Sequence, residues 1–465
     1  MQHRPQKLFV IIFTALVVLS VLSICPWGKW TNGALKDFNL LGDILPQAAV
    51  VNEAMSDNID PELLEFAQEQ ELAADSMVTQ AVEAVADTVV NVPADDFKAP
   101  RKNGSVVIED YSADGSGIAE LKSKLQGASD AKMRIAMVGD SYIEGDIFSQ
   151  NIRSSLQDLY GGSGVGYVGA FSQFPGFRQS VTQTSDNWDE TEIKNMKNDN
   201  LRTILGRYHT AAVANSKVKF RGSSKIAHAG SWDNTMVLFV APRSGEITFT
   251  GTDNTSEACQ VEGSQDIQCV ALSTTCTNIE ISSDIPGLKV LGIWLEGNNG
   301  VVLDNISLRG NSGISHRRLS ESATAAMRRW VDYDLIILEF GLNALSAGQK
   351  DYTSYCKAMI EVVNNLKNLY PQAQILIMGV GDRGTKSGAE FISMKTIPAM
   401  VRAQREVARR TGSLFYDTRA AMGGEGASLD WHKRKLLNSD FVHLNHKGGK
   451  ELADIFIESL SNSLQ

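Results

Sequence analysis

Two short apolar segments, each ending in small and polar residues, constrain the fold of this chain more than any other feature. Residues 134–138 form the first segment, which runs into Gly-Asp-Ser ending at Ser141 and is followed by helical spacing over residues 147–160. Residues 334–340 form the second, which runs into Gly-Leu-Asn ending at Asn343. Both segments are typical of buried strands. Because ligands bind at the carboxyl edge of a parallel α/β sheet, we expect Ser141 and Asn343 to lie at one such edge.

A third feature near the C-terminus supplies the groups that a nucleophilic serine requires. Asp440 precedes His443 by three residues, in a loop before the helical spacing of residues 447–460. This separation lets the carboxylate reach one ring nitrogen while the other nitrogen faces outward. We therefore predict Ser141 as nucleophile, His443 as base and Asp440 as its partner. The Ser141 backbone N–H and the Asn343 side chain are candidate donors to the oxyanion.

These motifs resemble three blocks of the SGNH, or GDSL, hydrolases. The matching segments are GDSYIEGD from Gly139, GLN from Gly341 and DFVHLN from Asp440. The resemblance implies an α/β fold of the flavodoxin-like three-layer type and ester hydrolysis or acyl transfer, with no metal or cofactor. It also implies a backbone oxyanion donor from a further block, a role that falls on the N–H of His316, with Gly313 or a shifted register as the alternative.

The region between the first two blocks predicts an inserted domain. Six short β-rich runs separated by turn residues lie in residues 235–308, the pattern of an all-β sandwich or jelly roll. This layout is similar to that of peptidoglycan O-acetylesterases, in which a carbohydrate-binding-like β domain interrupts the SGNH fold. We expect Trp188, in the polar stretch SDNWDE, to be exposed and to bind substrate, and Trp232 and Trp294 to lie in a core. Asp146 is a second substrate-binding candidate, although the helix dipole also favours a carboxylate at that position.

The N-terminal region predicts attachment to a membrane. Arg4 and Lys7 precede an apolar stretch over residues 8–26, which indicates either a signal peptide or a transmembrane anchor. We favour the anchor because the stretch lacks a good cleavage pattern, and its basic flank predicts a periplasmic or cell-envelope location. Fourteen acidic residues and two lysines between Thr31 and Pro100 indicate an acidic spacer. The formal net charge of −10 argues against nucleic acid as a partner.

The chain therefore divides into five predicted segments. They are a membrane anchor or signal (1–30), an acidic spacer (31–103), the first part of an SGNH catalytic domain (104–171), an inserted β domain (172–309) and the second part of the catalytic domain (310–465).

From the sequence we expect a serine esterase that removes acyl groups, in particular O-acetyl groups, from a cell-envelope or exported glycan. The first alternative is an O-acetyltransferase of the same fold that receives acetyl groups from a membrane partner. The second alternative is a non-catalytic glycan-binding protein.

Overall fold

The computed structural model of this protein describes residues 90–93, 97–196, 200–388 and 390–465. The predicted anchor and most of the predicted spacer lie outside these residues. Val90 is buried against the main core, and the first strand begins at Arg101, so the folded part starts before the predicted end of the spacer at residue 103. Within the described residues, no helix combines the length and the hydrophobicity that crossing a membrane requires.

The helices and strands are numbered here in chain order. The α-helices are α1 (Gly117–Gln126), α2 (Ser149–Tyr160), α3 (Glu321–Arg328), α4 (Thr353–Leu369), α5 (Ile397–Thr411), α6 (Thr418–Met422), α7 (Ala427–Lys433) and α8 (His446–Ser463). The strands up to the end of the inserted region are β1 (Arg101–Lys102), β2 (Ser105–Val106), β3 (Glu109–Asp110), β4 (Lys132–Gly139), β5 (Gly164–Val168), β6 (Val181–Asp186), β7 (Trp188–Glu192), β8 (Arg207–Ala211), β9 (Ser216–Gly222), β10 (Asn234–Ala241), β11 (Gly245–Thr250), β12 (Ser256–Val261), β13 (Ser264–Leu272), β14 (Asn278–Ser283) and β15 (Lys289–Glu296). The remaining strands are β16 (Gly300–Ser307), β17 (Leu335–Glu339), β18 (Gln374–Met378), β19 (Gly384–Ser387), β20 (Glu390–Ser393) and β21 (Leu414–Tyr416).

The central sheet has the strand order β16-β4-β17-β18-β21-β3. Its first five strands are parallel, and β3 adds an antiparallel edge. In chain order the parallel strands run 2-1-3-4-5, the doubly wound order of flavodoxin-like folds. Every residue of β17 is buried, so both faces of the sheet are covered, and helices α2 and α8 pack together, as do α4 and α5. The predicted three-layer α/β fold is therefore confirmed for this part.

Two antiparallel sheets lie in the inserted region. One has the order β13-β10-β15-β8-β7, with β5 also paired to β15, and the other has the order β12-β11-β14-β9-β6. Phe239 and Ile293 of the first sheet share a hydrophobic cluster with Phe220 and Phe249 of the second, so the two sheets face each other as a sandwich. The predicted β-rich insertion is thus present.

The structure corrects the placement of one predicted strand. Residues 301–308 were expected to belong to the inserted sandwich, but β16 pairs in parallel with β4 in the central sheet, with Ser307 opposite Gly139. Conversely β5, which lies before the predicted insertion, pairs antiparallel with β15 of the sandwich. A run of apolar residues with turns at both ends fits either kind of sheet, so the local pattern did not distinguish the two.

Candidate active site

Ser141 lies where β4 ends, at the first position of a 3₁₀ segment, Ser141–Asp146. The carboxylate of Asp140 caps this segment by accepting a hydrogen bond from the Tyr142 N–H at 3.0 Å. Gly139 allows β4 to approach β17 closely, because a Cβ there would lie 2.5 Å from the carbonyl oxygen of Glu339. Ser141 is therefore held on a tight strand-to-helix turn at the carboxyl edge of the central sheet.

His443 lies within hydrogen-bonding distance of Ser141. Its Nε2 atom is 3.0 Å from the Ser141 Oγ, and its Nδ1 atom is 2.6 Å from the Asp440 Oδ2. The other oxygen of Asp440 accepts hydrogen bonds from the backbone N–H groups of Val442 and His443. Burial alone would raise the pKa of Asp440, but the charge of His443 and these hydrogen bonds outweigh it and lower the pKa to about 2. The structure thus brings the three predicted catalytic residues together.

The loop between Asp440 and His443 contains an unusual backbone conformation. Phe441 has φ of +62°, a left-handed conformation that a bulky side chain rarely adopts. Its ring lies between the rings of Phe391 and His432, with centroid distances of 4.0 and 3.8 Å. The Phe441 carbonyl also accepts a hydrogen bond from the Gly384 N–H. Contacts from the β19–β20 hairpin and from α7 therefore hold this turn in place.

Asn343 lies just beyond the end of β17, the neighbour of β4 in the sheet. Its side-chain Nδ2 group donates to the Asp140 carboxylate and to the Asn311 carbonyl, both at 3.1 Å. These contacts hold the Asn343 amide at the same sheet edge as Ser141, which is the placement that the sequence predicted, and its role as an oxyanion donor stays a prediction. Asn311 contributes to the site through its carbonyl, and the sequence analysis did not identify it. It lies four residues after the end of β16, so assigning that strand to the central sheet would have indicated its position.

The predicted oxyanion role of His316 is corrected by the structure. The His316 backbone N–H donates to the Gly313 carbonyl at 3.1 Å inside a 3₁₀ turn, and the residue is fully buried. The alternative donor, Gly313 N–H, is bound by the side chain of Asn311 at 2.8 Å. Both N–H groups are therefore hydrogen-bonded within the chain in this structure.

Asp146 was predicted to bind substrate, and the structure gives it a different role. Its carboxylate is buried and pairs with Arg153 through two hydrogen bonds of 2.7 and 2.8 Å, with Arg178 at 3.2 Å from one oxygen. The hydroxyl groups of Ser149 and Ser180 also donate to it. Burial would raise the pKa of Asp146, but the two arginines outweigh it and lower the pKa. Asp146 therefore anchors the end of the segment that begins with Ser141.

Trp188 was predicted to be exposed, and this prediction is wrong. The side chain is 9% exposed and packs in the sandwich cluster, and its indole N–H donates to the Lys217 carbonyl. Trp188 is the first residue of β7, and its side chain faces the interior of the sandwich. The polar residues around it in the sequence led to the prediction of an exposed position. Trp232 and Trp294 are buried, as expected.

Glu339 is a buried acid behind the candidate site that the sequence analysis did not single out. It is 1% exposed, ends β17 and faces Gly139 of β4 in the register of the sheet. Burial, together with the negative charge of Asp140, raises the pKa of Glu339 well above its usual range. The neutral form of Glu339 is therefore favoured.

The geometry can activate a serine hydroxyl. A base within 3.0 Å of the hydroxyl, oriented by a carboxylate with a low pKa and next to an amide donor, is the arrangement used for acyl transfer through a covalent intermediate. Among the described residues, no group of three or more His, Cys, Asp and Glu side chains could hold a metal ion.

Comparisons with protein families and with solved structures found proteins that are similar to this chain. Residues 282–450 match the GDSL-like lipase/acylhydrolase family. A solved structure of a peptidoglycan O-acetylesterase is similar over 77% of this chain and 99% of its own, with 20% identity and a TM-score of 0.62. A family two carbohydrate esterase from Cellvibrio japonicus matches over 61% of this chain and 99% of its own, with 12% identity and a TM-score of 0.26. A search of curated protein sequences found no match.

Proposed function

We propose that this ester hydrolase, whose residues 282–450 match the GDSL-like lipase/acylhydrolase family, removes O-acetyl groups from a cell-envelope glycan by a Ser-His-Asp mechanism. The observation that carries the proposal is the hydrogen-bonded series from Ser141 through His443 to Asp440, at 3.0 and 2.6 Å, on the carboxyl edge of the central sheet.

In the first half of the reaction, the Ser141 Oγ attacks the acyl carbon while His443 Nε2 accepts the hydroxyl proton. The ester C–O bond then breaks, and His443 returns the proton to the sugar oxygen, which leaves as an alcohol. The acyl group remains on Ser141. In the second half, water attacks this ester with His443 again as base, and the carboxylic acid and the free serine are released.

The negative charge on the acyl oxygen requires donors in both halves. The backbone N–H of Ser141 and the Asn343 side chain are the two that we assign. In this structure the Asn343 Nδ2 group donates to Asp140 and to the Asn311 carbonyl, and as charge develops the oxyanion takes the place of the Asn311 carbonyl as acceptor. Asp140 thus positions the amide and does not touch the substrate.

A glycan is the substrate class that best fits the remaining observations. The chain shares its fold with a peptidoglycan O-acetylesterase over nearly all of that protein, which supports an O-acetylated sugar polymer. We further propose that the enzyme acts outside the cytoplasm as an anchored protein, because Arg4 and Lys7 precede the apolar residues 8–26.

The test uses the full-length chain in detergent with two substrates, a chromogenic acetyl ester and an O-acetylated peptidoglycan fragment, and measures released acetate. Wild type should release acetate from both, and Ser141→Ala should reduce both rates to background while keeping the same circular dichroism spectrum. An unacetylated glycan acceptor is added in parallel.

Retained activity in Ser141→Ala would contradict the nucleophile assignment. Acetyl groups that appear on the added glycan instead of in solution would identify an O-acetyltransferase. A folded wild-type protein that cleaves neither substrate would favour a glycan-binding protein.

A further inference from the structure

Arg383, in the loop that follows β18, lies between two of the segments that carry the candidate catalytic groups. Its Nη1 group donates a hydrogen bond to the Leu342 carbonyl at 3.1 Å, one residue before Asn343. The N–H of the next residue, Gly384, donates to the Phe441 carbonyl at 2.8 Å, within the loop that carries the candidate base. The guanidinium group therefore lies at the carboxyl edge of the central sheet, next to the amide that we assign to the oxyanion.

The backbone around Arg383 is held in place by its neighbour Asp382. The Asp382 carboxylate is 2% exposed and accepts hydrogen bonds from the Ser393 hydroxyl in β20 at 2.7 Å and from the N–H and hydroxyl groups of Ser428 in α7, both at 2.9 Å. The Arg383 carbonyl accepts a further bond from the Met394 N–H at 3.0 Å. The loop, the β19–β20 hairpin and α7 are thus connected, and the backbone that carries Arg383 is fixed before a substrate arrives.

The guanidinium group of Arg383 forms no ion pair within the part of the chain that the structure describes. Its Nε atom is buried and has no hydrogen-bond acceptor there, although the residue as a whole is partly exposed. Nε and Nη2 share one edge of a guanidinium group, whereas Nη1, which binds Leu342, lies away from that edge. A buried donor without a partner requires an explanation, and here it lies beside the catalytic residues.

Elsewhere in this chain the same edge of an arginine binds a carboxylate. Nε and Nη2 of Arg328 donate to the two oxygens of Asp332 at 3.0 and 2.8 Å. Those of Arg409 donate to the two oxygens of Glu406 at 2.7 and 2.6 Å. Two parallel N–H···O bonds are the geometry by which arginine recognises a carboxylate. The edge of Arg383 therefore fits a carboxylate that comes from another molecule.

We propose that Arg383 binds a carboxylate of the substrate, on the same molecule as the ester that Ser141 attacks. The inference rests on the proposed function and narrows its substrate class to acetylated glycans with a carboxylate close to the ester. A partly buried guanidinium group binds a carboxylate more strongly than a neutral amide, because both bonds are charge-assisted. Arg383 is thus a specificity-determining residue, and it takes no part in breaking the ester bond.

A pair of substrates that differ only in charge tests this subsite. One is an O-acetylated peptidoglycan fragment with free carboxylates, and the other is the same fragment with its carboxylates converted to amides. For the full-length chain in detergent, kcat/KM should be about 10- to 100-fold higher for the free acid, mainly through KM. Arg383→Gln should reduce kcat/KM for the free acid to the value for the amide and leave the chromogenic acetyl ester unchanged.

Two further variants complete the comparison. Arg383→Lys keeps the positive charge but not the two parallel donors, so it should retain only part of the preference for the free acid. Arg243→Gln removes an exposed arginine of the inserted sandwich, whose Nη2 group donates to the Asp284 carbonyl, and should keep the full preference. If Arg383→Gln misfolds by thermal unfolding, Arg383→Lys still decides the question, because a full preference in that variant would contradict the proposed geometry.

The outcomes separate the subsite from the proposed function. Equal wild-type kcat/KM for the two fragments, or a preference that Arg383→Gln retains, refutes the subsite while the function stands. A fall in kcat of Arg383→Gln on every substrate would show that Arg383 only positions the Asn343 loop, and would also refute it.

If wild type cleaves the chromogenic ester but neither fragment, the glycan function fails. The acetyl esters of 4-hydroxybenzoate and 4-hydroxybenzamide then decide the subsite. A preference for the benzoate ester that Arg383→Gln loses would support it, and equal turnover of the two esters would refute it.

Discussion

At the scale of single residues, the contact between Asp440 and His443 carries the strongest prediction. Asp440→Asn preserves the size of the side chain but offers an N–H group to the His443 Nδ1 atom, which favours the wrong tautomer of the base. We expect kcat for the chromogenic ester to fall by about 10³- to 10⁴-fold with little change in KM. Wild-type turnover would mean that another group orients His443.

The same carboxylate predicts a dependence of stability on pH. The pKa of Asp440 is about 2 in the folded protein, against about 3.9 in an unfolded chain. A lowered pKa stabilises the folded state above the unfolded value, and this contribution is lost as the pH falls from about 4 towards 2. The free energy of unfolding of wild type should therefore fall more steeply over this range than that of Asp440→Asn, by about 2 kcal/mol. Parallel curves from urea titrations would contradict the assignment.

The stacked rings around Phe441 predict a positioning effect. Phe391→Leu removes the ring that covers Phe441, so the strained turn relaxes and the geometry of Asp440 and His443 loosens. We expect kcat for the small ester to fall by roughly 10- to 100-fold at unchanged KM, and Phe391→Tyr to restore it. An equal loss in both variants, or none in either, would show that the stack does not position the base.

At the scale of secondary-structure elements, Asp146 fixes the 3₁₀ segment to α2. Asp146→Ala would leave the buried Arg153 without its partner, which should lower the free energy of unfolding by about 3 to 5 kcal/mol. The exposed pair between Asp430 and Arg434 provides a control, because Asp430→Ala should cost less than about 1 kcal/mol. Chemical denaturation measures both, and similar values for the two variants would contradict the anchor role.

Much of the central architecture could be predicted because its signals are local. The apolar runs of β4 and β17 and the polar residues after them indicate the sheet edge, and the spacing of Asp440 and His443 indicates the dyad. The roles of Asp146 and Trp188 depend on partners distant in sequence, Arg178 for the first and Lys217 for the second. We therefore expected Asp146 to bind substrate and Trp188 to be exposed, whereas both side chains lie in a packed interior.

At the scale of the whole molecule, the first sandwich sheet packs on both sides. Val237 and Phe239 of β10 contribute to the sandwich cluster, while Met236 and Leu238 on the opposite face contribute to the main core. Alternation of side chains along one strand thus joins the inserted region to the catalytic region. The assignment of β5 and β16 to their sheets depends on pairing between residues distant in sequence, so local patterns could not predict it.

Asp304 makes the corresponding polar connection and can be tested. Its buried carboxylate in β16 accepts hydrogen bonds from the Tyr167 N–H, the Trp294 indole and the Tyr333 hydroxyl. Asp304→Ala leaves these three donors unpaired and should lower the free energy of unfolding by at least about 3 kcal/mol, as measured by denaturation followed by tryptophan fluorescence.

The exposed Asp266 on β13 is the control for this variant. Asp266→Ala should stay within about 0.5 kcal/mol of wild type. An equally small change in Asp304→Ala would show that this carboxylate does not join the two regions.

The measurement that tests the central claim most directly is the detection of an acyl group on Ser141. Wild type is mixed with the chromogenic acetyl ester, quenched with acid during turnover, digested and analysed by mass spectrometry, with Ser141→Ala treated in the same way. The account predicts one acetyl group on the peptide that contains Ser141, at a level that rises in Asp440→Asn if deacylation slows more than acylation. Ester cleavage by wild type without any acetyl group on that peptide, or an acetyl group on another residue that disappears as product forms, would contradict it.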